Sequence, residues 1–191
     1  MGAKQMKAKR GITESDIKFL ADHTAFTEQQ IRDWYKGFKV ECPNGSLSKK
    51  KFVKIYSQFF PKGNAERFCE HAFRTFDTDG NGLIDFKEFL IAVNVTSGGT
   101  PEEKFEWAFR MYDVNGDGKI GNEEMVHILE SIHMMLGGEE ADKAAAKASA
   151  QGERILRQID QDDDGEITLK EFIDGCLKDR DLYRLLTNQP T

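Results

Sequence analysis

Residues Asp77 to Glu88 read DTDGNGLIDFKE, with side-chain oxygens at positions one, three, five, nine and twelve and a glycine at position six. The same pattern, D-x-[DN]-x-[DN]-G-x5-E, recurs as DVNGDGKIGNEE from Asp113 and as DQDDDGEITLKE from Asp160. A hard divalent cation such as calcium takes six to eight oxygens, and a loop curling around it offers them at these positions. In the stretch from Asp77 the candidate ligands are Asp79, Asn81, the carbonyl of Leu83, Asp85 and a bidentate Glu88, besides Asp77 itself. From Asp113 they are Asp113, Asn115, Asp117, the carbonyl of Lys119 and Glu124, with Gly121 leaving position nine to water. From Asp160 they are Asp160, Asp162, Asp164, the carbonyl of Glu166, Thr168 or its water, and Glu171. Gly82, Gly118 and Gly165 stand where the backbone must turn into a conformation that a Cβ resists. An ordinary acidic turn requires neither that glycine nor the distant glutamate.

On either side of these loops the apolar residues recur with the helical period, so the repeating unit is helix, loop, helix. Thr27 and Gln30 form a capping box ahead of Ile31, Trp34, Tyr35 and Phe38, with Phe26 and Ile31 as a hydrophobic staple. Thr100, Pro101 and Glu103 open another helix, which carries Phe105, Ala108, Phe109 and Tyr112. The Ala-rich stretch from Gly137 to Gly152 reads as a partly helical connector. Leu182, Tyr183, Leu185 and Leu186 read as a short amphipathic helix able to pack on the body or to block a groove.

Aligning Phe52 with Phe89 exposes a fourth, degenerate loop, VECPNGSLSKKK, from Val40 to Lys51. Val40 and Cys42 offer no hard oxygen at positions one and three, and Lys51 puts a cation where the bidentate glutamate belongs. It keeps Gly45 and Leu47 at positions six and eight, which suits a structural role in a pair of loops. Position-eight residues are expected to meet in short two-stranded ladders, Leu47 with Ile84 and Ile120 with Ile167. The fold class expected is therefore all-α, four EF-hands in two pairs with short β-bridges. The pairs divide at Ser97-Gly98-Gly99, a hinge candidate, into 1–97 (first loop degenerate, second active) and 98–191 (both loops active, plus the C-terminal helix).

Composition excludes other classes. Lys4, Lys7, Lys9 and Arg10 put +4 into the first ten residues and leave −10 for the rest, and an acidic body argues against nucleic acid. Three scattered cysteines, Cys42, Cys69 and Cys176, fit reduced cytosolic thiols better than a disulfide framework or a zinc site. Phe89 to Val93 is the longest wholly apolar run and the N-terminus is polar and basic, so neither a membrane span nor a secretory leader is expected. Gly116-x-Gly118-x-x-Gly121 matches the dinucleotide fingerprint formally, but lies inside a metal loop with no strand before it. His23, His71, His127 and His133 lack ligand-like spacing, and no nucleophile elbow, P-loop or H-E-x-x-H motif is present. No enzymatic activity is expected.

Trp34 to Phe38 (WYKGF), Glu41 to Gly45 (ECPNG), Lys54 to Pro61 (KIYSQFFP), the block AFRTFDTDGNGLIDFKEF and KFEWAFRMYDVNGDG resemble the neuronal calcium sensor family over nearly the whole chain. The dead first loop with Cys42-Pro43 is the most specific of these features. The resemblance implies calcium in loops two and three, with loop four used by some members only; here loop four retains every ligand, so three calcium sites are expected, with Mg²⁺ as competitor. It also implies an N-terminal target groove, which carries over as Trp34, Phe38, Phe52, Ile55, Tyr56, Phe59, Phe60, Phe89 and Val93. On helical spacing alone the same rings have a second reading, as core. Gly2 is the lipidation site the family implies, but Met6 stands where Ser or Thr is usual. An acylated Gly2 backed by the basic cluster and a merely solvated basic terminus are the two readings.

The function expected is a calcium sensor that exposes its groove on binding and regulates a target, received as an amphipathic helix of a signalling protein, in the cytoplasm and peripherally at a membrane surface. The rivals are a calcium buffer that fills without opening and, more remotely, a calcium-triggered photoprotein. The latter encloses a luciferin among several Trp, His and Tyr residues, whereas this chain has Trp34 and Trp107 alone as tryptophans.

Overall fold

The computed structural model describes residues 11–137 and 141–179. Gly2, Met6, the basic residues Lys4, Lys7, Lys9 and Arg10, and the apolar group Leu182, Tyr183, Leu185 and Leu186 lie outside the described residues. Along the chain run α1 (Glu14–His23), α2 (Glu28–Glu41), β1 (Ser46–Ser48), α3 (Lys49–Tyr56), α4 (Glu66–Phe76), β2 (Leu83–Asp85), α5 (Phe86–Gly98) and α6 (Pro101–Tyr112). They are followed by β3 (Lys119–Gly121), α7 (Asn122–Leu136), α8 (Ala141–Ile159), β4 (Glu166–Thr168) and α9 (Leu169–Lys178). The architecture is the expected one: helices joined by loops, with loops paired through two antiparallel ladders. Leu47 faces Ile84 in β1–β2, and Ile120 faces Ile167 in β3–β4.

Helix starts follow local chemistry. Thr27 accepts from the amide of Gln30, whose side chain returns the bond, and Thr100 with Glu103 does the same behind Pro101. α1, which was not among the expected helices, is opened by an equal box from Thr13 and Asp16; the T-x-x-D signal at its start was there to be read.

The compact units do not follow the expected division at 97/98. One comprises the described residues up to Phe52 with Phe76–Gly99; the other comprises Val53–Thr75 with the described residues from Thr100 on. The physical reason lies in what Val53–Thr75 bonds to. Asn64 donates its amide to the Met134 carbonyl at 2.9 Å, Arg67 pairs with Glu130 at 3.1 Å, and Arg74 reaches the end of α6. Gly63 lies so close to α7 that a Cβ there would stand 1.9 Å from the Met135 carbonyl oxygen. Loop pairing still follows the sequence halves, through the two ladders.

The connector from Gly137 to Gly152 is also more regular than expected, because α8 runs unbroken from Ala141 through Gly152 to Ile159. Ala144, Ala148, Gly152, Ile155 and Ile159 form a buried stripe along it. Small residues let it close on α7; a Cβ at Gly152 would stand 3.0 Å from Val126 Cγ2. The stripe outweighs the helix penalty of a single glycine, roughly 1 kcal/mol.

In the first unit the core is Ile17, Leu20, Ile31, Ile84 and Leu90; in the second it includes Phe105, Tyr112, Met125, Ile128 and Phe172, all at most 1% exposed. Each such side chain contributes roughly 1.5–3 kcal/mol. Cys42, Cys69 and Cys176 belong to the same cores at 4%, 0% and 2% exposure. Burial pushes the Cys69 thiol up to about 11 and that of Cys176 to about 12. All three are therefore expected to resist a thiol reagent at neutral pH in the native protein and to react together on unfolding; rapid labelling of the folded chain would contradict this.

Candidate metal centres

Each of the three acidic loops is built from its own backbone outward. In loop two, Asp77 accepts amide N–H bonds from Asn81 and Gly82 at 3.0 and 2.8 Å, and Asn81 accepts from Leu83 at 2.9 Å. In loop three, Asp113 takes Gly116 and Gly118, and Asp117 takes Lys119. In loop four, Asp160 takes Gly165 and Asp164 takes Glu166. The glycine at position six sits at φ +82°, +89° and +84° in turn, and Gly45 of the degenerate loop at +83°, so all four loops share the left-handed turn.

The position-twelve glutamates tie the loop entrance to the exit helix. Glu88 Oε1 accepts from the amides of Thr78 and Asp79, while Oε2 accepts from Asp85, the N-cap of α5. Glu124 bridges Val114 and Asn115 to Gly121, and Glu171 bridges Gln161 to Thr168. Their carboxyls differ. Burial pushes that of Glu88 above the ordinary range against the hydrogen bonds from Asp85, Thr78 and Asp79. Backbone bonds from Thr168 and Gln161 hold that of Glu171 below it.

The donor set fits a hard cation. Carboxylate oxygens of Asp77, Asp79 and Glu88 lie within 4.8 Å of one another, and so do those of Asp160, Asp162 and Asp164. Such anions repel unless a cation sits among them. Asp160 Oδ1 is buried without a hydrogen-bond donor among the described residues, which is how an oxygen reserved for a metal stands. In loop three Asn115 Nδ2 donates to Asp117 at 2.8 Å, drawing that pair of position-three and position-five side chains together.

The degenerate loop replaces the metal by the chain's own cations. The Lys51 ammonium donates to the Glu41 carbonyl and stands 3.4 Å from the Glu41 carboxylate; Lys39 donates to the Pro43 carbonyl at 2.5 Å. Position twelve thus still closes the loop on its entrance, with the sign of the charge reversed.

The model of the family described as an EF-hand domain pair matches residues 102–177, and that of the EF hand domain matches residues 68–96. Over 181 residues the chain is 40% identical to Neuronal calcium sensor 1 of Lymnaea stagnalis, covering 92% of this chain and 93% of that one. It is 38% identical over 192 residues to Neuronal calcium sensor 1 of Aplysia californica, covering 98% and 96%. To S-modulin of Aquarana catesbeiana it is 37% identical over 182 residues, covering 94% and 90%. The chain belongs to the neuronal calcium sensor family.

In this member of the family the nine expected groove residues are divided between the two units. In the first, Trp34 and Phe38 meet Phe89 at ring distances of 6.0 and 5.3 Å, and Phe52 packs on Phe76; Phe38 and Phe52 are core. Trp34 is 41% exposed, and Val93 is half-buried on α5. In the second unit Tyr56 gathers Phe59, Phe60 and Phe68, with Phe59 73% exposed and Ile55 half-buried.

Two side chains at the loops, those of Arg74 and Lys119, carried no sequence signal of their own. Arg74, on α4, donates from Nη1 to the carbonyls of Asp113 and Val114 at 2.7 and 3.0 Å, and from Nη2 to those of Arg110 and Met111 at 3.2 and 2.9 Å. It caps the C-terminus of α6 where loop three begins. Burial lowers its basicity, opposed by the charges of Asp113 and Glu124. Lys119 extends from loop three to two carboxylates of loop four. Among the described residues, no helix is long and apolar enough to cross a membrane.

Proposed function

We propose that this protein is a calcium sensor in which the state of the position-twelve glutamate is read out as the angle of the exit helix and hence as apolar surface offered to a target. The observation that carries this reading is the double attachment of Glu88, to the loop entrance at Thr78 and Asp79 and to the first turn of α5 at Asp85. Asp77, Asp79, Asn81, Asp85, Glu88 and the Leu83 carbonyl would hold the ion in loop two. Asp113, Asn115, Asp117, Glu124 and the Lys119 carbonyl would do so in loop three, and Asp160, Asp162, Asp164, Glu171 and the Glu166 carbonyl in loop four. A bound calcium ion supplies the charge that lets these oxygens converge.

Glu88 must give up the Thr78 and Asp79 amides if both its oxygens are to turn inward. Asp85 ties that movement to α5, and Phe89, the next residue, carries it to Trp34 and Phe38. Widening that ring cluster would offer rings to the apolar face of an amphipathic helix from a signalling protein. Of the expected groove residues in the first unit, Trp34, Phe89 and Val93 are those best able to contribute. Names of relatives containing the words calcium sensor support this reading, which is of a regulator and not of a catalyst.

The test is calcium titration of the full chain, without acylation and at physiological Mg²⁺, followed by tryptophan emission and an apolar dye. A cooperative rise in both is expected at a free calcium of about 10⁻⁷–10⁻⁵ M. Calorimetric binding with no dye uptake would replace the sensor by a buffer, and a flat calorimetric trace would remove calcium altogether.

A further inference from the structure

We propose that Lys119 sets the calcium affinity of loop four, acting from loop three as a resident cation on the carboxylates of its partner loop. The proposal rests on the reading of loop four as a calcium site. Lys119 Nζ donates to Asp164 Oδ2 at 2.9 Å and to Glu166 Oε2 at 2.7 Å. Asp164 is the position-five ligand, and its other oxygen accepts the Glu166 amide at 2.8 Å, so both its oxygens are engaged. Among the described residues, Asn81 and Asp117, the position-five side chains of loops two and three, make no ammonium bond of this kind. Asn81 accepts the Leu83 amide; Asp117 accepts the Lys119 amide and the Asn115 side chain.

Register explains why the contact is built in. Lys119 is position seven of loop three and opens β3, where it lies opposite Thr168 of β4; its side chain therefore reaches across the ladder to the middle of loop four. The equivalent position in the other pair is the uncharged Ser46, opposite Asp85. Loop four is also the loop with most charge to offset, with Asp160, Asp162, Asp163, Asp164, Glu166 and Glu171 in twelve residues. The ammonium lowers the attraction of that cluster for a divalent ion and occupies an oxygen of one ligand. Lys119 has a second tie to the same equilibrium, because its own carbonyl is the position-seven ligand of loop three. Filling loop three fixes the backbone from which the side chain reaches loop four.

The amides of Gly82, Gly118 and Gly165 each donate to the position-one aspartate of their loop, at 2.8, 3.0 and 2.9 Å, so their resonances report the loops separately. Calcium titration of the full chain, followed at these three amides, is compared for the wild type, Lys119→Met and Lys119→Arg. Expected is a Gly165 midpoint shifted to roughly threefold to tenfold lower free calcium in Lys119→Met, from the loss of one charge at near contact in a solvated site. Lys119→Arg, which keeps the charge, should stay near wild type, and the Gly82 midpoint should not move in either variant. An unchanged Gly165 midpoint in Lys119→Met overturns the role of Lys119 while leaving the loop-four site standing. A Gly165 resonance that calcium never moves, in any of the three proteins, overturns the loop-four site and the proposal with it.

Discussion

Replacing Glu88 by Gln is expected to weaken calcium binding at loop two by about a hundredfold or more, since it removes both a full charge and the bidentate ligand on which the hard-cation shell depends. The calorimetric stoichiometry should fall by one site, and tryptophan emission from Trp34 should lose most of its calcium response, because Phe89 would no longer be drawn with α5. The calcium-free protein should be little affected. Burial already holds the Glu88 carboxyl above its ordinary range, so its ionised form costs folding free energy that Gln does not. Glu171→Gln should behave differently without calcium. Hydrogen bonds from Thr168 and Gln161 hold its carboxyl below the ordinary range, so its contribution to stability is present above the unfolded value and is lost as pH falls through the folded one. A Glu88→Gln protein with unchanged stoichiometry and unchanged Trp34 response would sink the tether between loop and helix.

Arg74→Met is expected to destabilise the calcium-free protein by about 3 kcal/mol, since four carbonyls at the end of α6 and the entrance of loop three lose a charged donor in a half-buried place. Thermal unfolding in chelator should show a midpoint lower by roughly 6–12 °C. Arg74→Lys, with one ammonium in place of a fork, should recover part of this and not all. A loss below about 1 kcal/mol would mean that water serves those carbonyls as well as the guanidinium does. The substitution has a second consequence for function: it takes a positive charge away from Asp113 and Glu124, so loop three should bind calcium more tightly even as the fold weakens. Stability and affinity moving in opposite directions would separate Arg74 from an ordinary packing residue.

Much of this molecule can be read without coordinates because an EF-hand loop is a local object. Asp77 and Glu88 are eleven positions apart, and the turn between them needs only a glycine able to take positive φ, so spacing alone names the candidate ligands. The same locality made the ladder partners Leu47 with Ile84 and Ile120 with Ile167 legible, since position eight is common to every loop. Capping boxes at Thr27 and Thr100 are likewise settled within four residues.

Tertiary structure decided what depends on partners far along the chain. The helical period could not say whether Phe38 and Phe52 are groove or core; packing against Phe86 and Phe76 buries them, while Trp34 and Phe59 are left in part to solvent. Nor could it show that Val53–Thr75 would join the later half of the chain, because Arg74 meets its carbonyls thirty-six to forty residues on. The reach of Lys119 to Asp164 over forty-five residues is of the same kind. The candidate ligand set is short-range chemistry written in spacing, whereas burial, helix alliances and the cations set beside those carboxylates arise only when the chain has folded back on itself.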